Sequence, residues 1–318
     1  MPRLADVAEL VRAPAALSVP GDVVAGAAAA GTLGPRTPAL AGASVLLYWA
    51  GMAANDWADR DLDAVERPER PIPSGRVSPT AALGLAAGLT AAGVALAGAA
   101  GGRRAVAVAV PLAAAVWGYD LRAKNSAAGP PVMALCRGLD VLLGASGGRP
   151  VRALPAALTV AAHTWTVTAL SRREVSGADA ALPLGTLAGT ALVAAAAGLP
   201  PRAADRATVP GAATASTVDG QGASGRRPGR GNDPLAVART VLPAALAAWY
   251  TARYGTAQAR VVAEPTAGRV RAAVGAGITG LPALQGALTA RAGAGLLGVA
   301  VAAAAPLARR LARKVSPT

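Results

Sequence analysis

The sequence predicts an all-α membrane protein whose helices cross the bilayer many times. Of its 318 residues, 53% are hydrophobic and only 15% are charged, and the mean hydropathy is +0.41. Apolar stretches of about twenty residues, the length that spans a bilayer, recur along the chain. Stretches such as 81–100 and 106–116 have no alternating polar face, which argues against a soluble protein. The single cysteine, Cys136, excludes an intrachain disulfide.

Ten apolar segments are expected to span the membrane, and nine are the minimum. They lie at residues 14–34, 38–54, 79–99, 104–120, 131–147, 153–170, 181–199, 235–253, 272–289 and 293–308. Each pair of spans returns the chain to the side on which it began. The loops that then share one face carry most of the arginines, so the positive-inside tendency predicts that this face is cytoplasmic. We therefore expect a multi-pass protein of the plasma membrane, with Arg103 and Arg104 as exceptions on the outside.

The segment after the seventh span has a different composition. Residues 200–234 are rich in Gly, Ala, Ser, Thr, Pro and Arg and lack apolar periodicity, which predicts a flexible linker. It divides the chain into residues 1–199, with seven spans, and residues 235–318, with the remaining spans and a basic tail. The net charge of +14 does not indicate nucleic acid as a partner, because the arginines lie mainly at the ends of spans, where they contact lipid headgroups and set topology.

Acidic residues are concentrated at 55–75, directly after the second span. Continued as a helix, this stretch places Asn55, Asp59 and Asp63 at i, i+4 and i+8, with Asp56 beside them. Such a face repels itself unless hard cations lie among its oxygens, and Mg²⁺ is commonly held by one or two carboxylates together with water and substrate phosphates. Arginine side chains suit phosphate oxygens. Those that follow within one loop are Arg67, Arg70 and Arg76. The pattern predicts a diphosphate site.

The same stretch resembles a known motif. Asn-Asp-x-x-Asp-x-x-x-Asp followed by Arg-Pro-x-Arg-Pro-Ile-Pro-Ser-Gly is similar to the first aspartate motif of the UbiA superfamily of intramembrane prenyltransferases. The resemblance continues after the fourth span, where Lys124 follows Tyr119 at a slightly different spacing. After the sixth span it is degenerate: Glu174 and Gly177 match the second aspartate motif, but Arg172 and Arg173 stand where acids are usual. This degenerate pattern resembles the divergent branch of bacterial EboC-type proteins.

The resemblance implies a bundle of nine to ten transmembrane helices around a central cavity. It further implies Mg²⁺-dependent transfer of a prenyl group from an isoprenoid diphosphate to a lipophilic or aromatic acceptor that the sequence does not identify. The metal ligands implied are Asn55, Asp56, Asp59 and Asp63. The catalytic residues implied are Asp56, Asp59, Asp63 and Glu174. The diphosphate contacts implied are Asn55, Arg67, Arg70, Lys124, Arg137 and Arg172.

Ionisable residues also occur inside the predicted spans. Arg137 and Asp140 lie at i, i+3 in the fifth span, where charges are costly unless they are paired or face a polar cavity. Arg137 is therefore expected either to contact phosphate or to neutralise Asp140, and the two interpretations stay open. His163, the only histidine, is expected to pack between helices and not to serve as a ligand.

Two other functions fit parts of the pattern. A non-catalytic carrier or assembly protein would keep the first acidic motif and lose turnover with the second, and Arg172 and Arg173 support this alternative. CDP-alcohol phosphotransferases also place spaced aspartates at a membrane face. Their signature requires Asp-Gly and Ala-Arg pairs upstream of the aspartates, which the stretch from Asp56 to Asp63 lacks.

Overall fold

The computed structural model describes residues 3–13, 18–199 and 234–304, with side chains of the last segment described from residue 241. All regular elements within these residues are helical. In chain order they are α1 (Leu4–Leu10), α2 (Pro20–Ala30), α3 (Thr37–Ala58), α4 (Arg60–Glu66), α5 (Pro79–Gly118), α6 (Gly129–Gly144), α7 (Pro150–Ser171), α8 (Ala181–Gly198), α9 (Pro234–Tyr250), α10 (Thr256–Ala263), α11 (Ala267–Arg291) and α12 (Gly295–Ala304). The predicted linker, except its last residue, and the end of the basic tail, 305–318, lie outside the described residues.

Local sequence sets many of the helix bounds. Helices α2, α3, α5, α6 and α7 each begin with proline at the first or second position, where the missing N–H would have had no partner in the helix. Ser78 caps α5 by accepting a hydrogen bond from the Ala81 N–H at 3.2 Å. Gly31 ends α2 in the left-handed conformation, with φ of 71°.

Helix α5 is a hairpin of two arms. Gly102 adopts φ 66° and ψ −159° within it, a conformation that favours glycine. The Trp117 indole N–H donates to the Thr90 hydroxyl at 3.0 Å although the two residues are 27 apart in sequence. A straight helix would separate them by about 40 Å. The arms 79–101 and 103–118 therefore run antiparallel and correspond to the third and fourth predicted spans.

Four helical segments are both long and apolar enough to cross a membrane: Thr37–Ala58, Pro79–Ala123, Pro150–Ser171 and Ala181–Gly198. The other predicted spans are also helical where they are described, but they are shorter or less hydrophobic. Alanine contributes little hydropathy, and helices that bury polar side chains need less apolar surface. The all-helical membrane fold is confirmed, and the predicted number of spans is approximate.

Two glycines bring α2 and α6 into backbone contact. A Cβ atom on Gly26 would lie 1.8 Å from the Val141 carbonyl oxygen, and one on Gly144 would lie 2.0 Å from the Val23 carbonyl oxygen. Only glycine permits this approach, which is typical of close helix packing in membranes. The contact places the start of α2 beside the middle of α6.

The three predicted site loops meet at one end of the bundle. The loop that follows α5 contacts the end of α3 through Lys124, whose ammonium lies 2.6 Å from Asp59. Arg172, at the end of α7, donates to the Ser126 carbonyl in the same α5–α6 loop. Arg271, near the start of α11, donates to the Glu174 carbonyl at 2.9 Å. The fold therefore assembles one polar face from five helix ends.

Candidate active site

The acidic motif lies at the junction of α3 and α4. The helix is interrupted at Asp59, which has φ −90° and ψ 2°, but the Asp59 N–H still bonds to the Asn55 carbonyl at 2.9 Å and the Asp63 N–H to the Asp59 carbonyl at 2.8 Å. The side chains of Asn55, Asp56, Asp59 and Asp63 thus remain near one face, as the spacing predicts. We call these four residues the acidic cluster.

Four basic side chains contact the acidic cluster. Lys124 lies 2.6 Å from the Asp59 carboxylate and donates to the Asn55 amide oxygen at 3.0 Å. Arg70 lies 2.6 Å from Asp63 and 3.5 Å from Asp56. Arg67 approaches Asp63 at 3.7 Å, and Arg12 approaches Asp56 at 2.6 Å. The sequence-predicted residues Arg67, Arg70 and Lys124 are therefore brought together with the acids.

These contacts make it possible to bury the acids. Asp56 is 4% exposed and Asp63 1% exposed, and an ionised carboxylate removed from water is costly unless it is paired and hydrogen-bonded. The basic partners come from the α1–α2 connection, the loop after α4 and the loop after α5. All four cations thus lie on connections between helices, against the carboxylate oxygens of the acidic cluster.

The oxygen ligands of the acidic cluster suit a magnesium ion that is coordinated partly by a substrate. Within residues 3–13, 18–199 and 234–304, no three acidic, histidine or cysteine side chains converge to form a complete metal site. The acidic cluster instead offers separate carboxylates and one amide oxygen. Mg²⁺ typically takes one or two carboxylates and completes its shell with water and substrate phosphates. The arrangement therefore suits a metal that binds together with a diphosphate.

The second predicted loop is connected to the site through Arg172 and not through Glu174. Arg172 holds the α5–α6 loop that carries Lys124. The Glu174 carboxylate has no hydrogen-bond or ion-pair partner among the described residues, and partial burial raises the pKa of Glu174 although Arg271 lies nearby. Gly177 has φ of 76°, and the following Ala178 N–H bonds to the Pro265 carbonyl at 3.0 Å. The loop thus packs mainly against the α10–α11 connection.

Arg137 has a different partner from the one the sequence suggested. Its guanidinium lies 2.8 Å from the Asp22 carboxylate, is 6% exposed and makes no contact with the acidic cluster in the described chain. Asp140 instead accepts a hydrogen bond from Ser44. Of the two interpretations left open for Arg137, the pairing with Asp140 is not the one found, because the Gly26 and Gly144 contacts bring Asp22 of α2 against α6. The role of Arg137 as a diphosphate contact stays a prediction.

His163 packs between helices. Its Nδ1 lies 2.9 Å from the Tyr250 hydroxyl, and its ring makes edge contacts with both Tyr250 and Tyr254. The side chain is fully buried on α7. These contacts agree with the expected packing role.

Sequence reasoning assigned no role to two further residues of this region, Arg12 and Asp120. Arg12 has a positive φ of 45° and reaches Asp56 from 44 positions away. Its only signal in the sequence was its place directly before the first apolar segment. Asp120 is 7% exposed at the end of α5 and lies within electrostatic range of Lys124 and Arg12. Its signal was a carboxylate next to the interfacial aromatic Tyr119.

The sequence and the fold of this chain are similar to those of known proteins. The model of the UbiA prenyltransferase family matches residues 18–188, which is more than half of the chain. The chain belongs to the UbiA prenyltransferase family. Two solved structures share its fold. One, from a study of digeranylgeranylglyceryl phosphate synthase in membranes, has a TM-score of 0.61 and 14% identity, covering 91% of this chain and 98% of its own. The other is the ligand-free structure of a UbiA homologue from Aeropyrum pernix K1. It has a TM-score of 0.55 and 22% identity, and the match covers 89% of this chain and 96% of its own.

Curated relatives of this UbiA family member carry one name, digeranylgeranylglyceryl phosphate synthase. The protein of Methanothrix thermoacetophila is 53% identical over 64 residues, 20% of this chain and 24% of its own. The protein of Natronomonas pharaonis is 44% identical over 98 residues, which are 30% of this chain and 35% of its own. The protein of Methanopyrus kandleri is 37% identical over 139 residues, which are 43% of this chain and 51% of its own. The chain thus matches about a quarter to a half of the length of these relatives. They are archaeal, and the bacterial EboC-type branch stays a prediction.

Proposed function

We propose that this protein is a prenyltransferase that moves a prenyl group from an isoprenoid diphosphate to a hydroxyl group of a glyceryl phosphate lipid. The observation that carries the proposal is the acidic cluster with its four loop-borne cations at the membrane end of an apolar bundle. A diphosphate is a compact polyanion, and its departure develops further negative charge. A site with several movable cations stabilises that charge.

The residues of the site have different roles according to their positions. Lys124 and Arg70, each held by an acid at 2.6 Å, are placed to turn toward diphosphate oxygens. Arg67 and Arg12 add charge at the rim. The surrounding helices supply apolar walls that keep water from the allylic carbon as the diphosphate leaves. Arg172 positions the Lys124 loop by holding the Ser126 carbonyl.

Magnesium is the cofactor that this donor set suits. Oxygens of the acidic cluster would hold it together with the diphosphate, and the chemistry it supplies at such sites is stabilisation of charge on the leaving group. Asn55, Asp56, Asp59 and Asp63 are the proposed ligands. With these oxygens committed to a metal, the basic partners of the acidic cluster would be free to contact the diphosphate.

The proposed acceptor class comes from the relatives' shared name. Digeranylgeranylglyceryl phosphate carries two geranylgeranyl groups on one glyceryl phosphate, so a prenyltransferase can form it by adding the second group to a glyceryl phosphate that has one. The match to the family model, residues 18–188, includes the acidic motif. We extend this acceptor class to the present chain, with a geranylgeranyl diphosphate as donor.

The proposed setting is the plasma membrane, with the acidic cluster on the cytoplasmic face. The loops at that face carry Arg67, Arg70, Lys124 and Arg172, in accord with the positive-inside tendency. Single cysteines at Ala64 and Ala178, in a variant in which Cys136 is replaced by alanine, should both react with a membrane-impermeant reagent from the cytoplasmic side. Reaction from opposite sides would contradict the shared face.

The proposed reaction is tested with purified protein in detergent. Labelled geranylgeranyl diphosphate should bind in a Mg²⁺-dependent manner, and addition of geranylgeranylglyceryl phosphate should give a product whose mass is larger by one geranylgeranyl group. Binding that ignores Mg²⁺ would contradict the metal's role. Mg²⁺-dependent binding without product from any glyceryl phosphate acceptor would favour the carrier alternative, which the degenerate Glu174 loop supports.

A further inference from the structure

Asp120 is a buried carboxylate beside the acidic cluster for which the described residues supply no partner. It is 7% exposed, yet no hydrogen bond or ion pair to it occurs in the described chain. Lys124, one turn further on, donates to Asp59 and Asn55 instead. Buried carboxylates are normally hydrogen-bonded. An unpaired one next to a reaction site therefore indicates a group kept free for a ligand.

The backbone around Asp120 directs this side chain toward α3. Helix α5 ends in a π-helical turn, Tyr119–Ala123, in which the Lys124 N–H bonds to the Tyr119 carbonyl at 2.9 Å. Such a turn inserts one residue into the helical repeat and is frequent at functional sites. The carboxylate packs on Gly51 of α3: a Cβ atom added there would lie 3.1 Å from Asp120 Oδ2. The missing side chain at Gly51 leaves the space that Asp120 occupies.

The depth of Asp120 is the decisive point. Gly51 precedes Asn55 by four residues, so Asp120 lies about 6 Å deeper along α3 than the polar end of the cluster. A prenyl diphosphate held through its diphosphate at Lys124 and Asp59 has its chain in the apolar bundle. The carbon that bears the diphosphate must then lie just below these residues. Asp120 is at the level where the bond to that carbon breaks and the acceptor hydroxyl approaches.

Charges of both signs act on Asp120. Lys124 and Arg12 are cations that act on it, whereas Asp59 and Asp56 act in the opposite sense. Both of these acids have their own basic partners, at 2.6 Å each. When the diphosphate draws on those cations, Asp120 remains the carboxylate without a committed donor. A carboxylate without a committed donor at this depth can accept a proton from a ligand.

We infer that Asp120 is the general base that accepts the proton of the acceptor hydroxyl during prenyl transfer. This inference rests on the proposed function. In the step, the hydroxyl oxygen forms a bond to the first carbon of the prenyl chain. The bond between that carbon and the diphosphate oxygen breaks, and its electron pair leaves with the diphosphate. The hydroxyl proton moves to the Asp120 carboxylate, which becomes a carboxylic acid, and no other reactant is needed.

The test is Asp120→Asn, which keeps the size of the side chain and removes its basicity. Turnover of geranylgeranyl diphosphate with geranylgeranylglyceryl phosphate should fall by about 10²–10⁴-fold. Affinity for geranylgeranyl diphosphate with Mg²⁺ should stay within about threefold of the parent. Asp120→Glu, which restores a carboxylate, should recover at least part of the turnover. Asp61→Asn is the matched control, because Asp61 is an exposed acid of α4 paired only with Arg60 at 3.4 Å.

Each outcome decides a different claim. Unchanged turnover in Asp120→Asn overturns the role as base. Loss of turnover and affinity together, with no recovery in Asp120→Glu, also overturns it, since that pattern marks a structural or diphosphate-binding residue. A parent protein that binds no geranylgeranyl diphosphate, or binds it and forms no product, overturns the proposed function itself, and with it the base assigned to that reaction.

Discussion

The chain holds two groups of charged side chains that differ in how freely their members can change partners. In the acidic cluster, carboxylates at the end of α3 are contacted by cations from three loops, and Lys124 and Arg70 remain partly exposed. In the second group, Asp22 of α2 and Arg137 of α6 form a pair that is closed off inside the bundle, where Gln285 also donates to Asp22 at 2.7 Å. We call the second group the buried pair.

The difference shows that a charged side chain near the surface can change partners and one inside the bundle cannot. Partly exposed charges, such as Lys124 and Arg70, can change partners because water compensates for a lost contact. Charges fixed on packed helices cannot, because moving them would leave an uncompensated ion in an apolar interior. The acidic cluster is thus suited to binding and catalysis, and the buried pair to holding α2, α6 and α11 in one arrangement.

The largest expected effect is loss of substrate binding when the acidic cluster is broken. Asp59→Ala removes a proposed magnesium ligand and the partner of Lys124, so the affinity for geranylgeranyl diphosphate in the presence of Mg²⁺ should fall by about 100-fold or more. Equilibrium binding in detergent measures this. Asp61→Ala changes an exposed neighbouring acid and should bind like the parent. Unchanged binding by Asp59→Ala would contradict the metal and diphosphate assignment.

The buried pair should affect stability and not affinity. Arg137→Ala leaves Asp22 as an unpaired interior charge, and the midpoint of thermal unfolding in detergent should fall by about 5 °C or more. The double variant Asp22→Asn with Arg137→Gln carries no charge and should unfold at a higher temperature than Arg137→Ala. If this double variant is stable but binds geranylgeranyl diphosphate poorly, Arg137 is a diphosphate contact after all.

A smaller effect is expected in the second loop. The Glu174 carboxylate makes no contact with the acidic cluster, so Glu174→Ala should change the affinity for geranylgeranyl diphosphate by less than about threefold. Arg172→Ala should weaken it by about tenfold, because Arg172 holds the loop that carries Lys124. Titration of both variants with the labelled diphosphate compares them. A loss in Glu174→Ala as large as that in Asp59→Ala would instead indicate two equivalent metal clusters.

The smallest effect is expected where α1 docks on the loop after α4. Arg76 contacts Asp6 and Glu9 at 2.7 Å each, and its hydrogen bond lowers the pKa of Asp6. A lowered folded-state pKa contributes stability above the unfolded pKa, and this contribution is lost as the pH falls through the folded value. Arg76→Gln should therefore lower the unfolding midpoint by about 2 °C at neutral pH, and the difference should shrink below about pH 4 and vanish once the pH is below the folded-state pKa of Asp6. A difference that persists in acid would exclude this pair as its cause.

Much of the fold could be predicted from the sequence because membrane helices depend on local composition. The hairpin of α5 appeared as two apolar runs separated by glycines and arginines, and the motif of Asn55, Asp59 and Asp63 retained its helical spacing. The partner of Arg137 could not be predicted. Spacing within α6 favoured Asp140, but the actual partner depends on how closely α2 approaches, which Gly26 and Gly144 set across more than 100 residues.

The candidate site could also be predicted in part. The acids and the cations that follow them in one loop could be found by spacing alone. Arg12 and Asp120 could not, because each is placed by tertiary contacts: Arg12 by the return of the chain from α1 to the end of α3, and Asp120 by a π-helical turn and the space left at Gly51. A sequence pattern does not show which helix a side chain will meet.

The reversal at Gly102 has a consequence for how the protein enters the bilayer. Its two arms are joined through a single left-handed residue, with Arg103 and Arg104 at the tip. If the acidic cluster is cytoplasmic, as proposed, this tip passes from one side of the membrane to the other during biogenesis, and each arginine costs about 2.5–3.5 kcal/mol at the bilayer centre. On that topology the two arms would cross as a pair, and the apolar surface of both arms would offset the passage of the two charges.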